Sequence, residues 1–247
     1  MIGHRLFLFR HHTPFIVTNM NESEKRLMNL SERHPRLIYF LSHLYARVLG
    51  RNRFSGRGCH LSFESSLLKK NCFLSKSGSN NQVIIGKCCL VEGCHFFLLG
   101  KNNRIEIGDG CFLDRSEFIV EGDGNTIRIG RETQTNCLSR FSAIEGTKII
   151  IGERCLLSAD INARTGDSHW IFDSKNHRLN QPRDIVIGSH VWIGYHVIIL
   201  KGSQIPDECI VGSGSVITAA SGLDSAPHSV FAGVPGHVIE KGISWDR

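Results

Sequence analysis

The chain has 247 residues, 41% hydrophobic and 21% charged, an ordinary composition with room for one large domain or two small ones. No apolar run reaches the roughly 18 residues that span a bilayer, and the run Leu6–Phe9 is too short for a signal peptide, so a cytoplasmic location is expected. The net charge of +6 is uneven: residues 1–70 hold twelve Lys/Arg against four Asp/Glu, the remainder seventeen against nineteen.

The first elements in chain order are helical. Asn21-Glu22-Ser23-Glu24 is a capping box that predicts a helix to about His34. Pro35 interrupts it, and Arg36–Leu49 is a second helix with Leu37, Phe40, Leu41, Leu44 and Leu49 as its apolar stripe. Such a stripe packs on a neighbouring element or a partner subunit; with this many basic residues, contact with an anionic membrane surface is the alternative. Nucleic-acid binding has only the charge behind it and is set aside. Residues 1–58 therefore read as a basic, partly helical segment ahead of a second region, 59–247.

That second region is repetitive. Val83-Ile84-Ile85-Gly86, Ile105-Glu106-Ile107-Gly108, Ile127-Arg128-Ile129-Gly130 and Ile149-Ile150-Ile151-Gly152 recur at a constant spacing, with Leu61-Ser62-Phe63 as a degraded earlier copy. Asn81, Asn103 and Asn125 precede three of them, each shortly after Gly78, Gly100 or Gly122. From Ile187 the period shortens to six residues, through Ile193, Ile199, Ile205, Val211 and Ile217, with a small residue at the fifth place. Each hexapeptide makes a short strand and a turn, and three make one coil of a triangular prism whose coils stack at about 4.8 Å. Cys89, Cys111, Cys155 and Cys209, with Thr133, fall at the small position and are expected as reduced core residues rather than disulfide or zinc ligands.

One stretch breaks the repeat. After Asn162 the chain makes an excursion, residues 163–184, carrying Asp167, His169, Trp170, Asp173, Lys175, His177, Arg178 and Arg183, before Ile185-Val186-Ile187-Gly188 restores the pattern. Long loops on rigid scaffolds are where binding groups sit.

These residues carry a resemblance. Asp167-Ser168-His169-Trp170, then Ile185 to Gly194 (IVIGSHVWIG), then Val211 to Thr218 (VGSGSVIT), then Ala232-Gly233-Val234-Pro235, resemble the hexapeptide-repeat acetyltransferases. That family includes galactoside and maltose acetyltransferases and capsular and polysialic-acid O-acetyltransferases; the long coils and the Ser168-His169-Trp170-Ile171 loop are most similar to the last group. The resemblance implies an all-β, left-handed parallel β-helix, acetyl-coenzyme A as cosubstrate without a metal, a sugar or polysaccharide acceptor, and a homotrimer. It also implies that His169 is the general base, since imidazole titrates near neutral pH and can take a hydroxyl proton. Trp192 would join it at the reacting centre, with Trp170 as a second wall for the acceptor. Gly194, Tyr195, Ser213, Gly214 and Thr218 would line the pantetheine channel. Family members often carry Ser or Ala where Tyr195 stands and Lys where Ala219 stands. Asp167 and Asp173 are alternative partners for the His169 ring and acceptor contacts; His177 competes with His169, and His190 and His196 are expected at exposed turns. An N-acetyltransferase on the same scaffold and a non-enzymatic trimeric binding module remain the alternatives. A carbonic-anhydrase-like zinc trimer would need coil-spaced histidines, which His169, His190 and His196 do not supply.

Overall fold

The computed structural model describes residues 35–76, 78–222 and 225–246. The capping box at Asn21–Glu24 lies outside them. Three parallel sheets of eight, seven and nine strands form the faces of a prism, and the chain visits them in turn. Among the described residues every strand pairing is parallel except the closing hairpin of Ser229–Gly233 with Gly236–Lys241, and one isolated antiparallel bridge joins Phe172 to Arg178. The prism takes in Arg53–Gly56 as its first strand, paired with Cys72–Lys76, so it starts ahead of the residue-58 boundary drawn from the repeat.

Register explains the sequence pattern. Val83, Ile105, Ile127 and Ile149 are Cα partners in adjacent strands of the seven-stranded face, 22 residues apart and fully buried. Ile187 pairs with Ile205 after the change to 18-residue coils. The glycine closing each Ile-x-Ile-Gly segment stands where backbones nearly touch: a Cβ on Gly130 would lie 2.5 Å from the Gly152 carbonyl carbon, and one on Gly152 equally close to Gly188.

Two internal columns add to this packing. Phe73, Phe96, Phe118 and Phe141 stack with ring centroids 4.7, 5.1 and 5.4 Å apart. Asn103 donates its amide to Gly122 O and accepts the Asn125 backbone N–H, so the turn asparagines knit one coil to the next. Cys89, Cys111, Cys155 and Cys209 are buried as expected, and no disulfide joins the described cysteines. Cys111 and Cys155 point their thiols at Gly130 O and Gly188 O, where Thr133 points its hydroxyl at Gly152 O. Burial pushes the Cys111 thiol well above its ordinary value and that of Cys94 up to about 12, so both stay protonated and inert.

The second predicted helix is present as α1, Pro35–Leu44, followed by a π-helical turn at Tyr45–Leu49. It lies across the first coils through its small residues, Ser42 and Ala46, both buried. No helix among the described residues is long and apolar enough to cross a membrane.

Candidate functional site

The excursion leaves the prism at one vertex. Arg164 ends a strand of the eight-stranded face and Ile185 begins one of the seven-stranded face; in the preceding coil only a short turn separates Ile144 from Lys148 at this place. Thr165 anchors the exit, its hydroxyl accepting from Thr147 Oγ1 at 2.6 Å and from the Ile144 N–H at 3.0 Å. The return is fixed by Arg183 N–H to Thr165 O and by Asp184, whose carboxylate accepts the Lys148 N–H at 2.8 Å.

Inside the excursion one buried amide organises the chain. Asn180 donates to Asp167 Oδ2 at 2.8 Å and to the His169 carbonyl at 2.7 Å, and accepts the Ile171 N–H at 2.8 Å. The backbone at His169 is thus held while its side chain stays exposed, with no ring hydrogen bond to the described residues. Arg178 clamps the outer arm, paired through both terminal nitrogens to Glu145 and stacked over Trp170 at 4.8 Å. Asp167 is paired with Lys201, and Arg164 reaches Ser168 and Gly166 O. Asp173 accepts the Nδ1 of His177 at 3.1 Å and the backbone N–H of Lys175 and His177. Asp173 therefore serves His177, and Asp167 serves Lys201 and Asn180; within one chain neither holds the His169 ring.

The ammonium of Lys201, then Asn180, keeps the Asp167 carboxyl below its ordinary value, and Arg178 does the same for Glu145. A depressed carboxyl contributes stability above its unfolded value that is lost as pH falls through the folded one. Hydrogen-exchange protection of residues 171–180 is therefore expected to hold from neutral pH to about pH 5, near the carboxylate range, and to fall in more acid solution. Loss of protection between neutrality and pH 6 would contradict this anchoring.

Between the base of the excursion and the last two coils lies an open cleft of about 580 Å³, lined by Arg164, Asp167, Arg183, Leu200, Lys201 and Thr218 among others. Three cations face one carboxylate, so the cleft favours an anionic group such as a phosphate or a sugar carboxylate.

Trp192 lies elsewhere. It sits on the nine-stranded face, in register between Leu156 and Ile210, and this face is opposite the vertex that carries the excursion. Beside it Trp245 stacks on His190 at 4.1 Å, donates Nε1–H to His190 O at 3.0 Å, and meets the Trp192 ring at 6.1 Å. His190, expected to be exposed, is half-buried because Trp245 covers it, and its Nδ1 lies 2.5 Å from Glu208. His196 is exposed as expected, 2.6 Å from Asp160. At the next vertex Ser213 Oγ accepts the Tyr195 N–H, Gly214 N–H binds Tyr195 O, and a Cβ on Gly194 would strike Ser213.

The expected site residues thus form two groups. Asp167, His169, Trp170, Asp173 and Thr218 belong to the excursion and its cleft; Trp192, Gly194, Tyr195, Ser213 and Gly214 belong to the far side of the prism. Sequence reasoning missed Trp245, Asn180, Glu145 and Lys201. Trp245 alone carried a signal, as a large aromatic near the end of an aromatic-poor chain.

No protein-family model matches the chain. It is 30% identical over 157 residues to a polysialic acid O-acetyltransferase of Neisseria meningitidis, covering 62% of this chain and 72% of the relative. The chain belongs to the hexapeptide-repeat acetyltransferase family. A polysialic acid O-acetyltransferase of Escherichia coli O1:K1 / APEC is 32% identical over 100 residues, which span 40% of this chain and about a third (31%) of that relative. The crystal structure of the polySia-specific acetyltransferase NeuO superposes with a TM-score of 0.68 at 29% identity, covering 79% of this chain and 78% of that one. As a hexapeptide-repeat acetyltransferase the protein is an enzyme, and its prism is the left-handed parallel β-helix of the family.

Proposed function

We propose that this acetyltransferase esterifies a hydroxyl of an acidic sugar polymer, polysialic acid being one candidate, with His169 as general base in a cleft completed between two chains of a homotrimer. The observation that carries this reading is the cationic cleft, whose lining includes Asp167, two residues before an exposed His169 whose ring makes no hydrogen bond to the described residues. The presence of Trp192 and Tyr195 on the far side of the prism supports the shared cleft: the excursion of one chain would meet those residues on its neighbour. The cysteines form no disulfide among the described residues, which fits a reducing compartment and supports a cytoplasmic enzyme.

In this mechanism the neutral His169 imidazole accepts the proton of the acceptor hydroxyl as the oxygen bonds to the acetyl carbonyl carbon. Backbone N–H groups steady the tetrahedral oxyanion. The carbon–sulfur bond then breaks, and the imidazolium gives its proton to the departing thiolate, restoring the base. Arg164, Arg183 and Lys201 hold the anionic groups of the ligands.

The test is thiol release from acetyl-coenzyme A across a panel of acceptors. Acidic glycans should accelerate release well above neutral ones, with an alkali-labile ester as product. Acceleration by amino sugars with an alkali-stable amide would replace this reading with N-acetyl transfer.

A further inference from the structure

The apolar stripe of α1 faces away from its own prism. Leu37, Phe40, Leu41 and Leu44 of α1 and Val48 of the turn after it fall at i, i+3, i+4, i+7 and i+11, and Phe40 and Val48 are 61% and 65% exposed. The opposite side is the one that packs: Ser42 and Ala46 are buried and the His43 ring stacks on Phe63 at 4.0 Å. Leu49 and Phe54 extend the exposed apolar surface around the end of the prism, and nothing among the described residues covers it. A helix that served only as a lid on the first coil would turn its leucines inward; this one presents them outward.

The charge around this surface is predominantly positive; Glu64, whose carbonyl accepts from the Ser42 hydroxyl, is the nearby carboxylate and lies 3.8 Å from Lys87. From residue 35 to residue 63 the sequence contains Arg36, Arg47, Arg51, Arg53 and Arg57 and no Asp or Glu. Arg47, Arg51, Arg53 and Arg57 are exposed.

We propose that this end of the prism docks on an anionic lipid bilayer, with the stripe of α1 lying in the interface and the arginines against lipid phosphates. The occupant follows from combining the two features. A second copy of the same surface would set these arginines against each other, whereas an anionic bilayer complements them. A soluble polyanion would satisfy the arginines and leave Phe40, Leu44 and Val48 in water. The excursion emerges after the sixth of eight strands on its face, five coils from this end, roughly 24 Å at about 4.8 Å per coil. Docked this way, the prism stands up from the bilayer with its cleft clear of the surface. The inference is independent of which acceptor the enzyme uses.

The test is flotation of the full chain with phosphatidylcholine vesicles, with and without phosphatidylglycerol. The full chain should float with the phosphatidylglycerol vesicles at least ~10-fold more than with the neutral ones. The double variant Phe40→Ser, Leu44→Ser should lose most of that binding while keeping its sedimentation coefficient and its acetyl transfer to a soluble acceptor. Three results would overturn the proposal. One is a full chain that floats with neither vesicle, as it would if residues 1–34 cover the stripe or if the arginines serve only a soluble polymer. Another is flotation undiminished in the double variant, which would assign binding to other basic residues. The last is a double variant that changes oligomeric state, which would make the stripe a contact between copies.

Discussion

His169→Ala is expected to leave a folded enzyme that still binds coenzyme A and to slow acetyl transfer at least ~10²-fold, the low end for loss of a positioned general base. The argument starts from what imidazole does not do here. Its ring makes no hydrogen bond to the described residues and lies exposed, while Asn180 holds only its backbone carbonyl. Removing the ring therefore takes away no packing and no buried partner, and thermal stability should stay within about 0.5 kcal/mol of the parent, as for other surface substitutions. His177→Ala is the control. His177 sits at the tip of the excursion with Asp173 at 3.1 Å, in an arrangement that closes a local turn, and its loss should leave most of the activity. An inactive His177→Ala beside a normal His169→Ala would transfer the assignment to His177.

Phe118→Ala is expected to be the most damaging single truncation of the prism, costing about 3–5 kcal/mol of unfolding free energy. Phe118 is fully buried and its ring is stacked on both sides, by Phe96 at 5.1 Å and Phe141 at 5.4 Å. The coils above and below are held apart by their own ladder hydrogen bonds, so they cannot collapse into the space. Phe54→Ala, at the half-exposed end of the same column, should cost much less. Urea titrations of the two variants measure the difference; equal losses would mean that the column does not carry the stability assigned to it. Because each coil contacts only its neighbours, a Phe118 variant should also show a broader transition as the two halves uncouple.

The prism was legible because period and burial coincide: each coil repeats the same inward positions, so Ile105, Ile127 and Ile149 announce their own register. The cysteine column was legible for the same reason, with Thr133 as the informative exception. The excursion was visible as a break in that register, but its interior was not. Asn180 looks like any loop asparagine, and only its three partners show that it organises the segment. The orientation of α1 was likewise hidden, since an apolar stripe says that a surface exists without saying which way it faces. The motifs that carry His169 and Trp192 lie close in sequence order, and the resemblance implies one reacting centre for both in a homotrimer without saying which chain supplies each. The faces of the prism separate them, since strands near in sequence lie on different sides of a triangular coil.

Mixing two crippled chains tests the shared cleft most directly. His169→Ala and Trp192→Ala should each be weakly active alone, the first for want of a base and the second for want of the ring beside the acceptor. If the excursion of one chain meets Trp192 of the next in a cyclic trimer, random co-assembly in equal amounts restores one intact cleft in each mixed trimer. That predicts recovery of about a quarter of wild-type activity. Mixed assemblies no more active than the average of the two variants would place His169 and Trp192 in the same chain's site, or in no common site, and would contradict the account.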